Sequence, residues 1–208
     1  MEISAVDKTW EKALRRRLLR MTLWTGAVFA ALAAGFTVFF WQDSAAAGEI
    51  IAAYMPKVQS LTADDGSLSV IRLMMNNIFA SAISIGLGII PFLFLPAFSL
   101  LVNAAVIGAV LGMAAANSIV PVGRMIVFGL LPHGIFELPA LFLSMAMGIY
   151  LCRLLSGKLL GRAKDEKLLP NFNALAKTFV LGALPLLAVA AVVECFVTPA
   201  LMSWAGLA

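Results

Sequence analysis

The sequence predicts an all-α, polytopic transmembrane helix bundle of about five spans, with one interrupted or re-entrant segment before the fourth span. Three observations carry this expectation. The 208 residues are 62% hydrophobic and 12% charged, with a mean hydropathy of +0.99, whereas soluble domains are usually about 45–50% apolar and about 25% charged. Residues 73–123 contain no Asp, Glu, Lys or Arg. One span takes roughly 20 apolar residues, so that stretch accommodates two spans and a tight uncharged turn. The charges gather in two blocks, 8–20 and 153–177, each flanking an apolar run. Basic segments beside spans orient a chain in the bilayer, so the net charge of +4 points to the lipid bilayer and not to nucleic acid as partner.

Residues 1–20 are expected to form a cytoplasmic basic amphipathic helix. Trp10, Leu14 and Leu18 recur at i, i+4 and i+8 among basic residues, the pattern of a helix lying on the inner membrane surface. Residues 21–208 then form a single transmembrane domain, whose first span is 21–41. Ala45, Ala46 and Ala47 look like a signal-peptide cleavage site. The preceding apolar run exceeds the roughly 7–15 residues of a signal core, so it reads as a retained anchor. The extracytoplasmic segment 42–69 carries Asp43, Glu49, Asp64 and Asp65 against Lys57. Within it Ile50, Ile51, Tyr54, Met55 and Val58 repeat at helical spacing, as in a short surface helix.

The second span covers 70–92, ending near Pro91 and Pro96, and the third covers 97–119. In the third, Ala104, Gly108, Gly112 and Ala116 form a small-xxx-small stripe that permits close helix contact. Two uses of the stripe stay open: packing within the chain, or a homodimer face. Pro121, Gly123 and Gly129 interrupt residues 119–131, and Pro132 opens the fourth span toward residue 156. Non-helical backbone at membrane depth is tolerated only under cover of protein or water, hence the interrupted or re-entrant reading. The fifth span covers 179–202, bent near Pro185 and before Pro199. Five spans from a cytoplasmic N-terminus place 42–69 outside, the basic loop 153–177 inside and the C-terminus outside. Both basic blocks then lie in the cytoplasm of a multi-pass cell-membrane protein.

Six polar residues fall inside the apolar zone: Asn76, Asn77, Asn103, His133, Glu137 and Glu194. An ionisable group in a span costs several kcal/mol (about 2.5–3.5 on insertion scales) unless paired or hydrated, and so marks a functional site by default. His133 and Glu137, four apart after Pro132, share one helix face. One polar cluster is expected where spans 2, 4 and 5 meet. It either locks helices together, passes ions or protons, or ligates a metal for hydrolysis through His133, Glu137 and Glu194. With a single histidine and no CxxC or HExxH spacing, a two-histidine zinc site cannot be built within one chain. No cofactor is called for, and Cys152 and Cys195 read as packing residues.

These residues resemble the stage II sporulation protein M family. The likeness rests on Asn76-Asn77 followed by Ala80, the glycine-spaced span around Asn103 and Gly108, the block Leu-Pro-His-Gly-Ile-Phe-Glu-Leu-Pro-Ala over 131–140, and Val-Glu-Cys-Phe-Val-Thr-Pro over 193–199. It covers roughly residues 20 to 204. The resemblance implies a five-span protein with its N-terminus inside, and places the six polar residues at the family's polar motif positions. In endospore formers, it implies, such proteins assemble the complex that degrades septal peptidoglycan during engulfment. They recruit two partners, at least one a peptidoglycan hydrolase, and are not known as enzymes. The leading expectation is therefore a non-enzymatic membrane scaffold for peptidoglycan-remodelling partners. A small transporter or channel is the alternative, and an intramembrane metal-dependent hydrolase the third.

Overall fold

The computed structural model describes residues 2–63, 66–117, 120–164 and 166–207, and of 2–8 the backbone only. Asp64, Asp65, residue 119 and the Lys8 side chain, which entered the expectations above, lie outside the described part. Among the described residues the fold is all α-helix, with no strand beyond one isolated bridge, Thr62 to Leu68. Five helices are long and apolar enough to cross a membrane: Thr9–Gln42, Val70–Ile89, Pro96–Asn117, Val122–Leu159 and Leu168–Trp204. The chain is a multi-pass membrane protein in contact with the lipid bilayer, and large apolar side chains such as Leu23, Phe79, Ile83, Leu181 and Phe196 face outward.

Helix α1 (Glu2–Gln42) runs without a break through residue 20, where a surface helix followed by a separate span was expected. No proline or glycine interrupts it before Gly26. Leu14 and Leu18 are buried against Met147, Tyr150, Leu151, Leu154 and Leu175. The apolar stripe that suggested a lipid surface is satisfied by protein, and the helix continues unbroken into its apolar run.

Helix α2 (Ser44–Leu61) follows after one residue. Asp43 caps it, its Oδ1 accepting from the Ala46 amide at 3.0 Å. The inner face of α2 packs Ala47, Ile50 and Ile51 onto Phe40, Ala109 and Met113. Helix α3 (Val70–Gly86) is capped by Ser69 and ends in a tight turn, Leu87–Ile89. The short apolar connection to α4 (Pro96–Asn117) holds Phe92 and Phe94 at φ of 68° and 46°, a costly conformation for aromatic residues. It is fixed from α5 (Val122–Leu159), where the Ser156 hydroxyl accepts from the Phe92 amide at 2.9 Å and the Cys152 thiol donates to the Ile90 carbonyl at 3.5 Å. Both cysteines are free.

The glycine stripe of α4 meets α1 of the same chain. A methyl group on Gly108 would lie 2.4 Å from Phe36 Cβ, and one on Gly112 would lie 2.7 Å from Phe40 Cβ. Ala104, Gly108 and Gly112 are buried, so the stripe serves packing within the chain and a dimer would need another face.

The last two helices are long and irregular. Helix α5 (Val122–Leu159) opens with a wide π-turn over Met125–Leu130. Helix α6 (Leu168–Trp204) contains two more, Phe179–Ala183 and Val193–Val197. Each ends two residues before a proline, at Pro132, Pro185 and Pro199. Proline supplies no amide hydrogen and its ring clashes with the carbonyl four residues back; the wide turn relieves that clash without ending the helix. Among the described residues, the irregular segment before the fourth span is thus an interruption within one continuous helix, with no separate re-entrant piece. Helix α5 is the most enclosed of the five.

Packing of Leu14 and Leu18 against Leu154 and Leu175 brings both basic blocks to one end of the bundle. Helix α2 lies at the other, as does the edge-on contact of Phe128 with Trp204, ring centroids 5.9 Å apart.

Candidate functional site

The π-turn before Pro132 delivers His133 and Glu137 onto one face of α5, and a second π-turn carries Glu194 on α6. Nitrogen or oxygen atoms from His133, Glu137 and Glu194 all lie within 4.8 Å of one another. The buried Thr198, one turn beyond Glu194, places its Oγ1 3.3 Å from His133 Nδ1. Two i, i+4 pairs therefore face each other across the α5–α6 contact: His133 with Glu137, and Glu194 with Thr198. Wide turns of this kind recur at functional sites because they re-aim side chains that a regular helix would point elsewhere.

His133 and Glu194 border a cleft of about 360 Å³ between α4, α5 and α6, walled by Val106, Ile107 and Val110 from α4 and by Leu130 and Met202 from the other two. The Lys57 ammonium on α2 lies 5.0 Å from the Tyr54 ring centroid. Two carboxylates in an apolar slab require a proton, a cation or water to be tolerated. One imidazole nitrogen and two carboxylates form a mixed N/O donor set that suits Zn²⁺, Mn²⁺ or Fe²⁺. The contact of Thr198 with Nδ1 is of the kind that orients a metal-bound histidine where the other ring nitrogen is the ligand.

The asparagines stand on α3 and α4. Asn76 Nδ2 donates to Asn77 Oδ1 at 3.0 Å on α3, and Asn103 Nδ2 donates to the Ser99 carbonyl of its own helix at 2.8 Å. Asn77 Nδ2 and the Ser81 hydroxyl one turn on are buried without a hydrogen-bond partner. Of the six expected residues, three converge; an asparagine pair and a lone asparagine occupy other helices.

The family model for stage II sporulation protein M matches residues 16–199. The chain belongs to the stage II sporulation protein M family. No curated protein and no solved structure matches it. The match spans all six polar positions and identifies a sporulation-related membrane protein family. In this member of the stage II sporulation protein M family, Thr198 was absent from the sequence-based candidates. Its spacing of four from Glu194 was the available signal, masked because threonine inside a span usually bonds its own helix, as Thr22, Thr25 and Thr37 do here.

Proposed function

We propose that the protein is a membrane scaffold that positions cell-envelope partners, peptidoglycan-remodelling proteins among them, and that it serves engulfment where its host forms endospores. Helix α2 carries this reading. It is a capped helix outside the spans, seated on α4 through Ala47, Ile50 and Ile51, and it leaves Met55 and Val58 exposed. Such a surface can hold a partner at a fixed distance from the bilayer. The proposed orientation puts the basic end in the cytoplasm by the Lys/Arg rule, and with it the N-terminus, so α2 and the C-terminus lie outside. The test is crosslinking in cells followed by mild detergent extraction. An envelope hydrolase or similar protein should co-purify with the wild type and be lost with Val58→Asp at unchanged helicity. Recovery of the protein alone under several detergents would defeat the reading.

A second reading, passage of protons or cations, is favoured by the His133–Glu137–Glu194 cluster at the 360 Å³ cleft. Flux into proteoliposomes that falls with Glu137→Gln would support it. Equal flux in wild type and variant would remove it.

A further inference from the structure

At the end of the bundle opposite α2, a groove of about 510 Å³ opens between α1 and α5. Arg17, Arg20 and Arg153 line it with Trp10, Trp24 and Tyr150. A cavity of about 200 Å³ shares Arg17, Tyr150 and Arg153 and extends to Ala163. Three arginines thus line one concavity, and the acidic side chain among the described lining residues is Glu166. Glu166 accepts a hydrogen bond from Asn171 at 3.4 Å, and Asn171 in turn accepts one from the Tyr150 hydroxyl. The Arg17 guanidinium carbon stands 5.7 Å from the Tyr150 ring centroid. Tyr150 is anchored from α6, and its ring positions one of the three cations.

We propose that this groove binds the headgroup of an anionic phospholipid, with its phosphate among Arg17, Arg20 and Arg153 and its acyl chains running past Met21 and Trp24. Guanidinium groups match phosphate oxygens in paired hydrogen bonds, and three of them against one carboxylate leave a net charge of +2. The groove sits where α1 passes from its basic block to its apolar run. Trp24, 72% exposed one turn beyond Arg20, is the kind of residue that settles at the headgroup level. A soluble phosphate would use the arginines and gain nothing from that apolar exit. Basic pockets between helices at a membrane surface are established sites for anionic headgroups.

Native mass spectrometry of the full-length protein in detergent, with equimolar dioleoylphosphatidylglycerol and dioleoylphosphatidylcholine, tests this. The wild type and Arg16→Gln, whose arginine lies outside the groove, should retain phosphatidylglycerol selectively. The double variant Arg17→Gln/Arg153→Gln should lose about thirtyfold of that preference. If the double variant lacks wild-type helicity by circular dichroism, Arg20→Gln replaces it, with an expected loss of about fivefold. Equal retention of both lipids by the wild type overturns the proposal, as does a preference that survives the groove substitutions. Displacement of phosphatidylglycerol by millimolar inorganic phosphate would assign the groove to a soluble anion and overturn the lipid assignment too.

Discussion

Replacing Gly88 by alanine should destabilise the bundle far more than the same change at Gly86, two residues away. A methyl group at Gly88 would stand 2.1 Å from the Gly148 carbonyl oxygen and 2.7 Å from its carbonyl carbon. Ordinary contact lies near 3.5 Å, so the turn that closes α3 and helix α5 would have to separate by about 1.4 Å at a point where backbone meets backbone. The neighbouring side has no slack, because a methyl on Gly148 would come within 2.3 Å of the Ser84 carbonyl oxygen. Overpacking of this kind costs about 1–3 kcal/mol or more where no side chain can swing away; a loss near 3 kcal/mol is expected. At Gly86 nothing lies within 4 Å of the added methyl, and the higher helix propensity of alanine should contribute up to about 1 kcal/mol of stabilisation. Thermal unfolding in detergent, followed by circular dichroism, should place the Gly88→Ala midpoint about 6–12 °C below wild type and Gly86→Ala at or slightly above it. Midpoints within about 2 °C of each other would refute the close crossing of α3 and α5.

Three further outcomes follow from the site and the basic end. If the cluster holds a divalent metal, elemental analysis of protein purified without chelator should find it, and Glu194→Gln should strip most of it; a wild type free of metal when supplied with Zn²⁺ and Mn²⁺ would leave the proton reading. Thr198→Val should weaken any such metal by about 10–100-fold through loss of the contact that orients His133, while His133→Ala should abolish binding; equal affinity in Thr198→Val and wild type would dismiss the orienting role. Asn171→Ala should cost about 1–3 kcal/mol in unfolding assays by leaving the Tyr150 hydroxyl proton without its acceptor, and a Tyr150→Phe/Asn171→Ala double variant should recover part of that loss; additive losses would contradict the pairing.

The five spans were legible because lipid demands long apolar runs, and residues 73–123 leave no other use for themselves. The shared helix face of His133 and Glu137 was legible because a spacing of four on a helix after Pro132 admits few arrangements. Continuity at residue 20 was not, since Leu14 and Leu18 suit a lipid surface and a protein partner equally well, and only the distant residues 147–154 and 175 decide between them. The local bonding of Asn76, Asn77 and Asn103 was equally hidden. An asparagine can satisfy itself on its own helix, as Asn103 does with Ser99, and no local pattern distinguishes that choice from a bond across helices. The arginine groove joins residues 17 and 20 to residue 153, a distance in sequence that only the α1–α5 contact closes.

Each wide turn ahead of a proline inserts about one extra residue into its helix, and one residue corresponds to about 100° of rotation. A wheel diagram drawn with uniform phase from 168 to 204 therefore assigns the wrong compass bearing to everything after residue 183, and again after residue 197. Insertions and deletions inherit this sensitivity. Removing a single position from 193–197 would restore regular winding, swing the Thr198 hydroxyl about a quarter of a circle away from the imidazole, and leave composition and hydropathy almost untouched.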